Sequence, residues 1–188
     1  MPRPVPTFHG FCGQSRIVGT LRSHCQGALA KGIPLPHVCL TGQSGMGKTE
    51  LAKSVAKEMQ TICHSWNCSG QTSRAELAQL LSKVKKADIV FLDEAHALLD
   101  GVQEVLYRAV DQCQVPKVDD KKNKIRENDW LDIPSFTLVV ATDQPGKLKK
   151  ALKSRLDLDF TLHEYSEREM KVIVGNLAGA LHILLSRQ

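Results

Sequence analysis

The chain begins with Pro2, Pro4 and Pro6, which predict an extended arm. Apolar residues Ile17, Leu21, Cys25, Ala28 and Leu29 then recur at helical spacing and predict a helix from Gln14 to about Ala30. The Gly32-Ile-Pro-Leu-Pro36 stretch breaks it, and His37 to Thr41 is a short apolar run of the kind a buried strand carries. Leu51, Ala52, Val55, Ala56 and Met59 mark a second helix, and Thr61 to Asn67 a second strand. Thr72 or Ser73 is placed to cap a helix reaching about Lys86, with Leu77, Leu80, Leu81 and Val84 inward. Ala87 to Leu92 is the strongest strand signal, followed by a helix from about Val102 to Gln112. Residues 115–132 are polar and charged and read as a solvated hairpin or loop. Ser135 to Ala141 is another continuous apolar strand, Lys147 to Leu156 a short helix, and Leu158 to Leu162 a last strand. Ser166, with Glu169 three residues on, forms a capping box that opens a final helix.

Strands alternating with helices, and strands apolar on both faces, predict an α/β fold with a parallel sheet covered on both sides. Composition narrows the class without changing it. At 42% hydrophobic and 24% charged, the 188 residues exclude wholesale disorder and collagen-like sequence. No apolar run approaches the ~18 residues a membrane span needs. The N-terminus lacks the apolar core of a secretory signal, so a cytoplasmic location is expected. The formal net charge of +5 is mild and permits nucleic-acid contact without arguing for it. The six cysteines are irregularly spaced with no CxxC pair, which predicts reduced, mostly buried thiols rather than a zinc site or a disulfide framework.

The chemistry concentrates at the predicted strand ends. Gly42-Gln43-Ser44-Gly45-Met46-Gly47-Lys48-Thr49 stands between a strand and a helix, in the spacing GxxxxGKT. Such glycines let successive N–H groups turn inward to cradle phosphate, and the new helix adds its positive end. Lys48 is then the group that reaches the outer phosphates, and the Thr49 hydroxyl is a Mg²⁺ ligand. Asp93 and Glu94 end the strong apolar strand 45 residues beyond Lys48. Asp93 is placed to orient a metal-bound water and Glu94 to polarise the attacking one. Thr142 and Asp143 tip the next buried strand, where they either cap the following turn or face the γ-phosphate. Arg155 follows a lysine-rich stretch and is either a solvated helix-end arginine or a finger supplied to a neighbouring subunit's nucleotide. His96, last of the Asp93-Glu94-Ala95-His96 run, reads as a hydrogen-bonder at a helix start, and Trp66 and Trp130 as packing residues.

These elements in this order resemble the RuvB family of Holliday-junction branch-migration ATPases, within the AAA+ class. Arg3-Pro4 with Phe11-Cys12-Gly13-Gln14, His37-Val38, Asp93-Glu94-Ala95-His96 with Leu98, Glu104-Val105-Leu106-Tyr107, Asp132-Ile-Pro-Ser-Phe-Thr-Leu138, Ala141-Thr142 and Glu164-Tyr165-Ser166 carry the resemblance. It implies a P-loop NTPase of AAA+ type, a three-layer sandwich around a five-stranded parallel sheet. It implies ATP and Mg²⁺ as cofactors, with the 42–49 loop on phosphate, Thr49 and Asp93 on the metal, and Glu94 as base. By the same resemblance Asp143 stands at the first sensor with Thr142 beside it, Arg155 is the trans-acting arginine, and Tyr165 is a nucleotide-pocket aromatic. Arg3, Phe11 and Cys12 then lie in an arm on the adenine. A hexameric ring, DNA and a RuvA-like junction-binding partner engaged through the 113–133 hairpin are the implied assembly.

The sequence departs from the family pattern at several places. Gln43-Ser44 replace a usual pair of prolines, Lys153 stands where a second arginine is common, and Asp111-Gln112 keeps one charge of an acidic pair. Asp143 puts an acid where a neutral hydrogen-bonding residue is usual, and an acid there repels a phosphate unless protonated or metal-bound. The hairpin tip (Asp119, Asp120, Lys121, Lys122, Lys124) is charged rather than apolar. The expected division is a nucleotide-binding core with its arm over 1–165 and the first helix of a lid domain over 166–188. The alternatives are a nucleotide-binding interaction module without turnover and a clamp-loader or replication-loader AAA+ ATPase. Half of a superfamily-two helicase is a weaker reading of the D-E-A-H run.

Overall fold

The computed structural model describes residues 7–119 and 124–180; Arg3 and residues 120–122 and 181–188, named above, lie outside them. Among the described residues, seven strands and six α-helices follow one another as α1 (Ser15–Lys31), β1 (Val38–Thr41), α2 (Lys48–Glu58), β2 (Cys63–Asn67), α3 (Arg74–Leu81), β3 (Ile89–Asp93), α4 (Asp100–Gln112), β4 (Gln114–Asp119), β5 (Lys124–Asp132), β6 (Thr137–Thr142), α5 (Lys150–Lys153), β7 (Leu158–Thr161) and α6 (Glu167–Ala180). Five strands form a sheet in the order β2-β3-β6-β1-β7, every neighbouring pair parallel. The remaining two, β4 and β5, pair as an antiparallel hairpin.

The continuous apolar strands are explained by the two layers they face. Alternate residues of β3 and β6 go to opposite sides: Val90, Leu92, Leu138 and Val140 pack with α3, α4 and α5. Ile89, Phe91, Val139 and Ala141 pack with α1 and α2. Cys39 faces the first layer and Val38 and Leu40 the second, so the strand leading into the phosphate loop is anchored in both cores. The six thiols are free; Cys25, Cys39 and Cys68 are buried, the other three half-buried. Burial pushes the thiols of Cys25, Cys39 and Cys68 up to about 12, which keeps them protonated and inert.

Two predicted helices are shorter than their periodicity implied. Ser73 caps α3 in a complete capping box with Glu76, but the helix stops at Leu81 rather than near Lys86. The Asp88 carboxylate takes the Lys85 N–H, and Ala87 turns into the left-handed region at φ 64° to donate its N–H to Ser135. Val84 still reaches the core, now from a loop. The stretch predicted as one helix from Lys147 to Leu156 is a 3-10 turn (Pro145–Lys147) followed by the single turn of α5. Extended backbone at Leu148 and Lys149 separates them, which lets both Leu148 and Leu152 enter the core.

Candidate active site

Parallel pairing brings the C-terminal ends of β1, β3 and β6 side by side, the place where open α/β sheets bind ligands. From β1 the chain enters the 42–49 loop, where Gly42, Gly45 and Gly47 all have positive φ. At Gly42 a Cβ would sit 3.0 Å from the Leu162 carbonyl oxygen, so the loop's first turn needs glycine for space as well as for conformation. The crest Gln43-Ser44-Gly45 is exposed, and Met46 and Gly47 are half-buried. Lys48 is buried and donates from Nζ to the carbonyls of Gly42 (2.7 Å) and Gln43 (3.0 Å), so the loop curls around its own ammonium.

Thr49, on the first turn of α2, places its hydroxyl 3.4 Å from Asp93 Oδ2 at the end of β3. A hydroxyl and a carboxylate side by side are the hard oxygen donors that Mg²⁺ takes, so this pair fits the ion. Asp93 Oδ1 accepts the N–H of Glu94, and Glu94 itself adopts a left-handed conformation at φ 52°. Strained backbone of this kind is held where the surrounding structure fixes it, and here it turns the Glu94 side chain out of the strand line. Glu94 Oε2 lies 3.3 Å from His96 Nδ1.

His96 joins two strand ends. Its Nδ1 is 2.9 Å from Thr142 Oγ1 and 3.8 Å from Asp143 Oδ1, and its Nε2 is 3.2 Å from the Gln144 amide nitrogen. Thr142 is fully buried, and its hydroxyl accepts the N–H of Gln144. Thr142 thus does cap the following turn, while Asp143 is exposed at the mouth of the site. Neither His96 nor Gln144 stood out as a site residue in the sequence; the run D-E-A-H was the available signal for His96, and Gln144 offered none.

The third wall comes from the two ends of the described chain. Tyr165 donates its hydroxyl to the Met46 carbonyl at 3.1 Å. A Cβ on Gly47 would stand 2.8 Å from that hydroxyl and 3.5 Å from the Phe11 ring. A Cβ on Gly13 would stand 2.7 Å from the Tyr165 ring, so glycine there, at φ 74°, allows the arm to lie against the aromatic. Gln14 exchanges two hydrogen bonds with the backbone of His163, and the Cys12 thiol donates to the Glu169 carbonyl at 3.4 Å. Burial raises the Tyr165 phenol above its ordinary value, with Cys12 and Glu169 adding to the effect. Phe11, Cys12 and Tyr165 are therefore gathered at the phosphate loop.

Arg155 lies apart from this cluster. Its Nε and Nη2 donate to the two oxygens of Asp111 at 2.9 and 2.6 Å, and its guanidinium covers the Tyr107 ring at 4.7 Å. The paired hydrogen bonds to Asp111 raise its already high value further. Arg155 is thus held on the α4 face. Among the described residues, no helix is long and apolar enough to cross a membrane.

Comparison with known proteins agrees with this arrangement. Residues 3–162 match the family model of the Holliday junction DNA helicase RuvB P-loop domain. The RuvB subunit of the Holliday junction branch migration complex from Thermotoga petrophila is 32% identical over 173 residues, 92% of this chain and 52% of that protein. The corresponding Staphylococcus haemolyticus subunit is 33% identical over 172 residues, with the same shares. Two solved structures of Thermotoga maritima RuvB, a mutant and the Holliday junction branch migration motor, superpose with TM-scores of 0.82 and 0.78 at 32% identity. Each covers 96% of this chain, which in turn covers 56% and 55% of them. The chain spans about half the length of the relatives it matches. A phosphate loop, an acid-ended β3 and a threonine-tipped β6 in this strand order, with that match over nearly the whole length, make the chain a member of the RuvB family, carrying its AAA+ P-loop domain.

Proposed function

We propose that this chain binds ATP with Mg²⁺ and hydrolyses it to ADP and phosphate, as the motor core of a Holliday-junction branch-migration assembly. The observation that carries the reading is the convergence of the 42–49 loop, Asp93-Glu94 and Thr142-Asp143 at three adjacent strand ends. Lys48 exchanges its two loop carbonyls for phosphate oxygens, and the N–H groups of the loop surround them. Thr49 and Asp93 are the residues that would hold Mg²⁺, which when bound neutralises charge on the phosphate chain. Glu94 accepts a proton from the attacking water at its carboxylate, oriented by its contact with His96. The Phe11, Cys12 and Tyr165 wall receives the base, with Arg3, outside the described residues, assigned to the same arm by the family resemblance. Arg155 acts on a neighbour's nucleotide and must leave Asp111 to do so, which makes turnover depend on ring assembly.

The same reading divides the protein into a nucleotide-binding core over 1–165 and the opening helix of a lid from 166. Met170, Val172 and Val174 are exposed on α6, and the Ser166–Glu169 capping box sets where that helix starts. DNA, a homo-oligomeric ring and a RuvA-like junction protein are the partners this proposal carries. The charged 119–124 sequence argues for a polar rather than an apolar contact with the last of these.

Glu94→Gln keeps the shape of the site and removes its base, so ATP binding should persist. Turnover should fall by roughly a hundredfold to ten-thousandfold, the usual worth of a general base. Unchanged hydrolysis in that variant would overturn the assignment. Asp143, an acid at the mouth of the site, favours a second reading as a nucleotide-binding module without turnover. ATPase activity that rises cooperatively with protein concentration would refute it.

A further inference from the structure

Asp143 gives the His96 cluster a composition that the hydrolysis of ATP does not require. One donor atom from each of Glu94, His96 and Asp143 lies within 4.8 Å of the other two. The individual separations from His96 Nδ1 are 3.3 Å to Glu94 and 3.8 Å to Asp143. Two donors sharing a tetrahedral ion at ordinary ligand distances stand about 3.4 Å apart. Two of the three sides of this triangle are close to that value. The third is no longer than 4.8 Å and closes by an inward swing of at most about 1.4 Å, within the reach of a side chain on an exposed turn.

The imidazole is already oriented for the purpose. It is the least exposed member of the set, at 14% of its side chain, and rides on the 3-10 turn Ala95–Ala97 behind fully buried Ala95. Its far nitrogen, Nε2, sits 3.2 Å from the Gln144 amide. An amide turned by half a revolution presents its oxygen to an Nε2–H; the Nδ1 lone pair, which meets the Thr142 hydroxyl at 2.9 Å, can then exchange that hydroxyl for an ion between the two carboxylates. A metal-bound histidine usually donates its other ring N–H in this way. Two carboxylates facing one another also gain from a divalent charge between them.

We propose that Glu94, His96 and Asp143 form a binding site for a divalent first-row transition ion of the zinc type. One imidazole with two carboxylates suits such an ion, whereas Mg²⁺ and Ca²⁺ prefer the all-oxygen pair that Thr49 and Asp93 provide. An ion there occupies the carboxylate of Glu94 and thereby removes the base, so it acts as a brake on turnover. That consequence rests on the hydrolase reading; the binding itself does not.

Cobalt(II) added to the nucleotide-free protein tests the site directly, with Zn²⁺ as competitor. One equivalent should bind and show visible d–d absorption without a thiolate-to-cobalt charge-transfer band, and Zn²⁺ should displace it. Asp143→Asn and His96→Gln should each weaken binding by roughly tenfold or more. Because Asp143 is exposed, its variant folds, which keeps the test open should the His96 variant not. The proposal is overturned by no d–d band at millimolar cobalt, by a thiolate band, or by equal affinity in Asp143→Asn. Cobalt binding by a chain without any ATP turnover would refute the hydrolase reading and leave the metal site standing. Turnover that Zn²⁺ does not slow, in protein that binds cobalt as described, would refute the brake alone.

Discussion

Asp88 is the most demanding polar group in the fold, and replacing it by asparagine should be costly for a reason that can be counted. The residue is 3% exposed and its carboxylate receives three hydrogen bonds. Oδ1 accepts from the Ile62 N–H at 3.2 Å, and Oδ2 accepts from the Lys85 N–H at 2.9 Å and contacts His64 Nε2 at 2.8 Å. An asparagine amide can match only one side. Whichever way it turns, its NH₂ group faces either the Ile62 or the Lys85 N–H, and one buried donor is stranded at about 1–3 kcal/mol. The bonds that survive lose their charge assistance, about 0.5–1 kcal/mol more. Asp88→Asn should therefore destabilise the protein by about 2–4 kcal/mol, a fall in Tm of roughly 5–15 °C for a chain of this size. Urea unfolding at neutral pH, comparing midpoints at constant slope, measures it. A loss below about 0.5 kcal/mol, the scale of an ordinary surface change, would refute the reasoning. Acid gives an independent check. Burial alone would raise the Asp88 carboxyl, but the bonds from His64, Lys85 and Ile62 outweigh it and hold it below the usual value. Its stabilisation is then complete above about pH 4 and is lost as pH falls through the lower folded value, a slope the asparagine variant should lack.

Gly13→Ala forces a Cβ to within 2.7 Å of Tyr165 at a left-handed residue, so ATP-analogue affinity by calorimetry should fall about tenfold or more; unchanged affinity would detach the arm from the nucleotide. Ala87→Gly removes the penalty of φ 64° and should stabilise by about 0.5–1 kcal/mol in urea, whereas a loss would mean its methyl matters more than its backbone. His37 accepts the Leu138 N–H on Nδ1, and burial lowers its value despite Asp157 and Asp111. Its contribution is complete above the unfolded value of about 6.5 and declines as pH falls below it. The stability difference between the protein and His37→Gln should therefore shrink from pH 7.5 to 5.5, and a constant difference would contradict the burial argument.

What was legible in the sequence was whatever local pattern decides. Ala87 to Leu92 and Ser135 to Ala141 read as buried strands because each must satisfy a helical layer on both faces. The glycines of the 42–49 loop read as a phosphate cradle because their spacing is set by backbone geometry alone. The end of α3 was not legible: the helical rhythm continues through Val84, and only Asp88, folded back onto Lys85, shows why the helix does not. Long-range partners were hidden for the same reason. His96 meets Thr142 and Gln144 across 46 and 48 residues, and Arg155 meets Asp111 across 44, distances that no periodicity encodes. The family resemblance placed Glu94 and Thr142 in one site, but the histidine between them emerged only from the folded chain.

The position of β1 has a consequence for how the protein comes into being. This strand, which holds the phosphate loop, is bordered by β6 and β7, whose residues Thr137–Thr142 and Leu158–Thr161 lie about a hundred residues further along. Neither neighbour exists when β1 leaves the ribosome. At common synthesis rates the strand waits roughly ten seconds for β7, with the edge that pairs it uncovered. During that interval the nascent chain has a glycine loop but nothing rigid to mount it on. Chaperone occupancy on the emerging β1 segment, released once residue 161 is clear, is the biosynthetic signature expected of this topology.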